Sequence, residues 1–385
     1  MIRKIGVITG TRAEYGLLRG LIRRIQDDPA CELQLFVTGM HLSNEFGATY
    51  REIVADGFPI TQKVEMLLGS DTPSGVTKSI GLGAIGFADA FETHRPDLVV
   101  VLGDRFEILA AVSAALIARI PVAHIHGGEA TEGLIDEAIR HAITKMSHLH
   151  FVAADDYRRR VIQLGEQPER VFLVGGLGVD RLKDIQLMER AALEEAIGLR
   201  FKPRNYLVTF HPVTLDRATA QLQMGELLDA LSELRDTGTV FTYPNADTEG
   251  RILIDMIERF VADRPDSAVA HVSLGQERYL SCLAQVDAVI GNSSSGLTEA
   301  PSFKVATINI GDRQRGRLQA ASVVNAAPTK TSILAAIVAI QEPSFVRALK
   351  DVSNPYGEGG ATEKVFQAVK SVPLTDLLKK RFFDL

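Results

Sequence analysis

The chain has 385 residues, of which 46% are hydrophobic and 23% charged, so it can bury a sizeable core and is long enough for two domains. Its formal net charge is −6, it contains no Trp, and aromatic residues make up 6%. This composition excludes a large basic surface for duplex nucleic acid and a stacking platform for single strands, so we expect no nucleic-acid partner.

The compartment is predicted from three features. The two cysteines, Cys31 and Cys282, are too far apart in sequence to suggest a disulfide framework or a thiolate metal cluster. The N-terminus has no signal-peptide pattern, and the longest apolar stretch, residues 108–122, is interrupted by Arg119 and Pro121 and is too short to cross a bilayer. We therefore expect a cytoplasmic protein without a membrane partner.

Short apolar runs alternate with helical patterns from the N-terminus onwards. The first half is predicted to contain strands at 4–10, 33–38, 97–102, 121–125 and 171–174, and helices at 12–27, 107–119, 135–146 and 156–164. The second half repeats the pattern, with strands at 206–210, 240–243, 288–290 and 305–310 and helices at about 218–234, 249–262 and 295–303. Strands that are apolar on both faces are typical of parallel sheets covered by helices.

The two halves resemble each other around the ends of their strands. The run 97–104 is similar to 287–292, and the run 121–127 is similar to 304–311. We therefore predict an α/β fold of two Rossmann-like domains, joined near residues 175–180. Ligands of such sheets bind at the carboxyl ends of the strands, so the polar residues there are expected to face one central cleft.

Candidate anion-binding residues follow strands in both halves. The run from Gly291 to Gly296 places Ser293 and Ser294 at a predicted strand-to-helix turn, where free backbone N–H groups can bind a phosphate; a serine N-cap is the alternative. Arg313 and Arg12 also follow strands and suit bidentate phosphate contacts, although both could be surface residues. Glu299 could bind ribose hydroxyls or complement the helix dipole.

Two further residues of the second half lie at predicted strand ends. His211 follows the strand at 206–210, and its position favours a functional role over a place on the surface. Asn245 follows the next strand and is a plausible contact to a nucleotide or sugar.

Candidate acid–base residues follow the strands of the first half. Asp104 and Arg105 end one predicted strand, His126 and Glu129 follow the next, and Asp136 starts a helix. Several carboxylates in one pocket repel each other, which keeps one protonated and yields an acid and a base from one residue type. Asp104 could instead bind backbone N–H groups or Arg105, and Asp136 could form a surface pair with a residue four positions on, Arg140.

A metal site is not predicted. His124 and His126 alternate as in metal-dependent hydrolases, but such enzymes need further ligands at other strand ends, so a chance repeat explains the pair better.

These motifs carry a family resemblance. The motifs are T-R-A-E-Y-G at 11–16, T-G-M-H at 38–41, G-D-R at 103–105, H-G-G-E at 126–129, I-D-E at 135–137, R-H at 140–141, F-H-P at 210–212, G-N-S-S-S-G at 291–296 and G-D-R-Q at 311–314. In this order, over nearly the whole chain, they resemble the hydrolysing UDP-N-acetylglucosamine 2-epimerases of bacterial sialic acid synthesis.

The resemblance implies a fold and an assembly. It implies the two-domain GT-B arrangement, with an N-terminal domain of residues 1–177 joined by a C-terminal helical segment at about 362–385, and a UDP-binding domain of residues 178–361. It also implies a homo-oligomer, either a dimer or a tetramer.

The resemblance further implies a reaction that uses neither a metal nor another cofactor. UDP is eliminated from UDP-N-acetylglucosamine to give 2-acetamidoglucal, which is then hydrated to N-acetylmannosamine. Asp104 and Asp136 would be acid–base residues, His211 would lie near the diphosphate, Glu299 would bind ribose, and the phosphate contacts would be Arg12, Arg105, Ser293, Ser294 and Arg313. Many members of the family carry Glu at the position of His126, and either His126 or Glu129 could replace it.

Other functions remain open at this level. The same reaction could use UDP-2,4-diacetamido-2,4,6-trideoxyglucose, as in legionaminic acid synthesis, because no motif reads C4 and C6 of the sugar. A GT-B glycosyltransferase would need an acceptor site, and a nucleotide-sugar sensor would leave its ligand intact. Carboxylates around a diphosphate sugar disfavour a sensor, because they repel the ligand unless they serve chemistry.

Overall fold

The structure, a computed structural model, describes residues 2–70, 72–131, 135–211, 217–244, 250–272 and 274–385. The chain divides into two units, one made of the residues up to Asp180 together with Gly359–Leu385, the other of Arg181–Glu358.

The first unit is built on a seven-stranded parallel sheet of order β3-β2-β1-β4-β5-β6-β7. Its strands are β1 (Arg3–Thr9), β2 (Cys31–Thr38), β3 (Gln62–Val64), β4 (Leu98–Leu102), β5 (Val122–Ile125), β6 (Leu149–Val152) and β7 (Val171–Leu173). Its helices include α1 (Arg12–Asp27), α2 (Tyr50–Ala55), α3 (Pro73–His94), α4 (Phe106–Ile117), α5 (Ile135–Met146) and α6 (Asp155–Gln163).

The second unit contains a six-stranded parallel sheet of order β10-β9-β8-β11-β12-β13. Its strands are β8 (Arg204–Thr209), β9 (Thr237–Thr242), β10 (Ala268–His271), β11 (Ala288–Gly291), β12 (Ala306–Ile310) and β13 (Val323–Ala326). Helix α7 (Leu177–Asp184) leads into it, followed by α8 (Arg190–Ile197), α9 (Arg217–Ser232), α10 (Gly250–Ala262), α11 (Gly275–Leu283), α12 (Ser295–Thr298), α13 (Lys330–Ala339) and α14 (Pro343–Leu349).

The core of the first unit lies on both faces of its sheet. Strand β4 is buried over its whole length, as the apolar sequence L-V-V-V-L requires. One face packs against α1 and the last helix, α15 (Ala361–Ser371), and the other packs against α3 and α4. Helix α1 begins with a capping box in which Thr11 and Glu14 satisfy each other's backbone N–H groups.

With one exception, the predicted strands and helices are confirmed with their ends shifted by a few residues. The two Rossmann-like sheets are those of a GT-B-type fold. The helix predicted over 295–303 is wrong in its length. Helix α12 ends at Thr298, and Ala300–Phe303 form a 3₁₀ turn. Pro301 has no N–H group to continue the α-helical hydrogen bonds, which explains the early end.

Within the described residues, none of the helices taken singly has both the length and the apolar character needed to cross a membrane. One bent pair, Lys330–Ala339 with Pro343–Leu349, passes that test on length and composition alone.

Candidate active site

The first group of predicted site residues lies at the carboxyl ends of β4 and β5. These strands are neighbours, and Leu102 pairs with Ile125 at their last positions. The chain then turns at Gly103, with a φ of +84°, and at His126, with a φ of +65°. Because neighbouring strands lie about 4.8 Å apart, the residues that follow them share one region of the sheet edge.

His124 anchors the turn that carries Asp104. Its Nε2 bonds the carbonyl oxygen of Gly103 at 2.8 Å, and its Nδ1 bonds the hydroxyl of Thr144 at 3.1 Å. Burial lowers the pKa of His124 to about 3, so the ring is neutral near pH 7, with Nε2 donating and Nδ1 accepting. His124 therefore acts as a structural anchor rather than as a member of a metal-binding H-x-H pair.

Arg140 connects the acidic residues of this edge. Its side chain is only 2% exposed, and it forms an ion pair with Asp104. It also bonds Glu137 Oε2 at 2.7 Å, Thr131 Oγ1 at 2.7 Å and the carbonyl oxygen of Glu129 at 2.9 Å. The guanidinium thus joins the loops after β4 and β5 to helix α5.

The sequence presented Arg140 as a surface partner of Asp136 and as part of the R-H motif at 140–141, and its central position among the site residues was not predicted. The ion pairs of Arg140 are instead formed with Asp104 and Glu137. A signal was present, because Arg140 lies three and four residues before the buried Ile143 and Thr144, on the inner face of α5.

Asp136 differs from Asp104 in its surroundings. Burial, and secondarily the charge of Asp104, raises the pKa of Asp136 above its usual value. Asp104 is bound as a carboxylate to Arg140. The two carboxyl groups therefore lie in different environments, as the residues of an acid–base pair do.

Arg105 is held by a buried carboxylate. Its Nε and Nη2 donate to the two oxygens of Glu107 at 3.2 and 3.1 Å, and its Nη2 lies 3.7 Å from Met40 Sδ. Because Glu107 is fully buried, its carboxylate fixes the guanidinium in place. The alternative pair between Arg105 and Asp104 is not formed, because Asp104 bonds Arg140.

His126 and Glu129 form a pair. His126 Nδ1 lies 2.9 Å from Glu129 Oε1, and His126 Nε2 accepts a bond of 3.4 Å from the backbone N–H of Leu177. These contacts place the hydrogen on Nδ1.

Arg12, a predicted phosphate contact, has a side chain that is 67% exposed, and its Nε lies 3.3 Å from Glu52 Oε2.

The second unit gathers another group around Asn292. The Asn292 side chain accepts from the backbone N–H of His211 at 2.7 Å and donates to the carbonyl oxygen of His211 at 2.9 Å. The carbonyl oxygen of Asn292 accepts from Arg313 Nη1 at 3.0 Å. Asn292 is buried, so it joins the loops that follow β8, β11 and β12. Asn292 was not among the residues predicted to bind a ligand.

The ring of His211 is neutral near pH 7. Burial lowers the pKa of His211 to about 4, and the charge of Arg313 contributes. Its Nδ1 is buried and makes no hydrogen bond to the described residues. An imidazole with such an atom can donate to or accept from a ligand.

Gly291 determines the shape of the serine loop, which is residues 291–296. Its φ is +138°, and a Cβ at this position would lie 2.0 Å from the carbonyl oxygen of Thr209. Ser294 occupies the N-cap position of α12 without a side-chain cap bond, while Ser293 Oγ accepts from the N–H of Ser295 at 3.4 Å. Glu299 accepts from the hydroxyl of Thr298. Asn245 lies outside the described residues.

The structure thus brings together Asp104, Arg105, His126, Glu129 and Asp136 at one sheet edge, and His211, Ser293 and Arg313 in the second unit. Among the described residues there is no group of three or more His, Cys, Asp or Glu side chains placed to hold a metal ion.

Similar proteins were found by sequence. The chain is 40% identical to the GDP/UDP-N,N'-diacetylbacillosamine 2-epimerase (hydrolyzing) of Campylobacter jejuni over 384 residues, covering 100% of this chain and 99% of the relative. It is 39% identical to the polysialic acid biosynthesis protein P7 of Escherichia coli, covering 100% and 98%. It is 36% identical to the UDP-N,N'-diacetylbacillosamine 2-epimerase (hydrolyzing) of Legionella pneumophila, covering 97% of each chain.

The fold also matches a solved structure. The crystal structure of a putative UDP-N-acetylglucosamine 2-epimerase from Listeria monocytogenes superposes with a TM-score of 0.80 at 18% identity, covering 96% of each chain. The family model of UDP-N-acetylglucosamine 2-epimerase matches residues 23–370. A match of this extent, together with relatives of 36–40% identity over almost the full length, establishes the family. The chain belongs to the UDP-N-acetylglucosamine 2-epimerase family.

Proposed function

We propose that the protein is a hydrolysing 2-epimerase that acts on UDP-2,4-diacetamido-2,4,6-trideoxyglucose, which is also called UDP-N,N'-diacetylbacillosamine. The names of two relatives, at 40% and 36% identity, specify this sugar and the hydrolysing reaction. They favour it over UDP-N-acetylglucosamine, the substrate that the resemblance first implied. The products would be UDP and 2,4-diacetamido-2,4,6-trideoxymannose.

The observation that carries the proposal is the difference between Asp104 and Asp136. Asp104 is a carboxylate paired with Arg140, while burial and the charge of Asp104 raise the pKa of Asp136. One residue is suited to accept a proton and the other to donate one. Epimerisation at C2 needs both acts, because the hydrogen at C2 must leave and be replaced on the opposite face.

The reaction balances without a redox step. A base takes the proton from C2, the electron pair of that C–H bond forms the C1=C2 double bond, and the bond from C1 to the diphosphate oxygen breaks with release of UDP. Water then adds its hydroxyl to C1, and a proton adds to C2 from the opposite face. We assign the base to Asp104 and the acid to Asp136.

The second unit is proposed to bind the UDP group. Backbone N–H groups beside Ser293 and Ser294 and the guanidinium of Arg313 are suited to the diphosphate. The buried Nδ1 of His211, which makes no hydrogen bond to the described residues, supports a contact between its ring and the same group. Glu299 and Asn245 remain candidate contacts to the nucleoside.

Proton NMR in deuterated water tests the reaction. The purified protein and UDP-2,4-diacetamido-2,4,6-trideoxyglucose should give free UDP and the manno sugar with deuterium at C2. An intact substrate would refute the proposed activity, and a product that keeps its original hydrogen would refute elimination.

UDP-N-acetylglucosamine is a second candidate substrate, because a relative at 39% identity is named for polysialic acid biosynthesis. The same NMR experiment with this sugar would give N-acetylmannosamine. The ratio of kcat/KM for the two sugars decides between them, and we expect it to favour the diacetamido sugar.

A further inference from the structure

A pocket of the first unit opens beside Arg105, close to the acid–base pair. It has a volume of about 420 Å³, within the range of small-molecule sites. Its walls come from four segments: the loop after β2, the loop after β3, the start of α3 and the start of α4. The mechanism described above does not use this pocket.

The walls of the pocket combine apolar side chains with polar ones, and the apolar side chains form about half of the lining. They include Met40, Phe46, Leu67, Leu68, Val76 and Phe106. Phe46 is 47% exposed and Leu68 is 40% exposed, so two large apolar side chains face solvent at a concave site. Covering such surfaces with the apolar groups of a ligand lowers the free energy of the system.

The other half of the lining is polar, and some of its polar groups are already paired with neighbouring residues. The hydroxyl of Ser79 accepts from the N–H of Leu68 at 3.1 Å, and the hydroxyl of Ser70 pairs with that of Thr72 at 2.9 Å. Ser43 and Glu45 also line the pocket. A serine hydroxyl and a carboxylate can pair with the carbonyl and the N–H of one amide group.

The wall formed by the loop after β3 is held in place by hydrogen bonds within the protein and is therefore preformed for a ligand. The bond to Ser79 holds Leu68, and the N–H of Ser70 bonds the carbonyl oxygen of Leu68 at 2.7 Å. A Cβ at Gly75 would lie 2.6 Å from Ser70 Oγ, which shows how closely this loop packs against the start of α3. A preformed wall costs little entropy when a ligand binds.

Arg105 connects the pocket to the acid–base pair. It lines the pocket, contacts Met40 Sδ, and its charge acts on Asp136. A sugar with C2 at Asp104 and Asp136 can therefore extend its other ring positions past Arg105 into the pocket.

We propose that this pocket binds the C4 acetamido group and the C6 methyl group of the substrate and so determines which sugar is used. The inference rests on the proposed function and locates its specificity. The C6 methyl group packs against Phe46 and Leu68, and the amide pairs with Ser43 and Glu45. The C6 hydroxyl of N-acetylglucosamine would lose water against Phe46 and Leu68 without replacement, and its C4 hydroxyl would leave the space of the acetamido group unfilled, which disfavours that sugar.

The test measures kcat/KM for both UDP-sugars with the wild type, Leu68→Asn and Phe46→Ser. Both variants should lower the ratio of diacetamido sugar to N-acetylglucosamine by about tenfold or more, mainly through loss on the diacetamido sugar. Phe46→Leu keeps an apolar wall and should retain most of the preference for the diacetamido sugar. Leu187→Asn is the matched control, since Leu187 lies in a loop, is 38% exposed and does not line the pocket.

A second readout is saturation-transfer NMR on the Asp104→Asn protein with the diacetamido sugar. The C6 methyl should receive strong saturation, and the added Leu68→Asn change should weaken it relative to the uracil protons. Thermal unfolding of each variant confirms that it is folded.

The outcomes separate the two proposals. If the wild type releases UDP from neither sugar, the proposed function fails and the pocket assignment falls with it. If both sugars react with C2 exchange but the ratio is unchanged in folded Leu68→Asn and Phe46→Ser, only the pocket assignment is overturned.

Discussion

The replacement Asp104→Asn tests the central assignment, because it removes a charge and a proton acceptor while keeping the shape of the side chain. Arg140 would lose its ion pair with Asp104 but keep Glu137, Thr131 and the carbonyl oxygen of Glu129. A hydrogen bond to a charged group contributes about 1.5–3 kcal/mol, so we expect a loss of about 1–3 kcal/mol in the free energy of unfolding. General acid–base catalysis contributes about 10²–10⁴-fold, so turnover should fall by about a thousandfold.

Glu137→Gln provides the matched control. Glu137 is the other carboxylate on Arg140, and its side chain is 30% exposed against 27% for Asp104. It also accepts from the N–H of Thr131 at 2.6 Å, so its replacement should cost at least as much stability. We expect Glu137→Gln to retain turnover within about tenfold, well below the loss assigned to a general acid or base.

The assays are thermal unfolding by circular dichroism, calorimetric titration with UDP, and UDP release together with deuterium exchange at C2. Asp104→Asn should still bind UDP. If Asp104→Asn retains C2 exchange, or if both variants lose turnover in proportion to stability, Asp104 is a structural partner of Arg140 and the reasoning is refuted.

Three further changes have calculable outcomes. Burial raises the pKa of Glu14 to about 8 from 4.5, so the folded protein holds this proton more tightly than the unfolded chain does. The free energy of unfolding should therefore fall by a few kcal/mol as the pH rises from 4.5 to 8. Urea unfolding at several pH values should show this dependence, and Glu14→Gln should flatten it. The pKa of His211 is about 4, and a bound diphosphate should raise it, so calorimetry between pH 7 and 5 should detect proton uptake with UDP that His211→Gln lacks. Gly291→Ala places a Cβ 2.0 Å from the carbonyl oxygen of Thr209, so it should weaken UDP binding more than tenfold or prevent folding. Gly225→Ala is the control: the nearest atom to its new Cβ lies at 3.9 Å, and this variant should bind UDP normally. An unchanged UDP affinity in Gly291→Ala would contradict the assigned role of that loop.

The sheet and the positions of most site residues could be predicted because the two depend on the same pattern. A buried parallel strand needs an uninterrupted apolar run, as in 98–102, and the first polar residues after it mark the carboxyl edge. Asp104 and His126 follow neighbouring strands for this reason, and their proximity was predictable once the strands were ordered.

Other elements could not be predicted because their pattern is weak or their partners are distant. Strand β3 has only three residues. Helix α3 contains four glycines, at positions 75, 81, 83 and 86, which disfavour a helix in isolation. A Cβ at Gly83 would lie 2.8 Å from Met66 and 3.0 Å from Ala110, so close packing against neighbouring elements explains a glycine that propensity disfavours.

The buried charges of the site show the same limit. Glu107 holds Arg105 from two positions away, and Arg140 holds Asp104 across 36 residues. A local pattern shows a charged residue on a helix but not the partner that compensates its burial. The identities of the catalytic candidates were therefore accessible from the sequence, while the residues that position them were not.

The resemblance implies that many members of the family carry Glu at the position of His126, and in this structure His126 forms a pair with Glu129. His126 Nδ1 bonds Glu129, and its Nε2 accepts from the N–H of Leu177, so both ring nitrogens are engaged. The Glu129 carboxylate, three residues further on, places an acidic group beside the same strand end. We therefore propose that Glu129 takes the role of the glutamate that the resemblance implies at position 126, and that His126 positions its carboxylate.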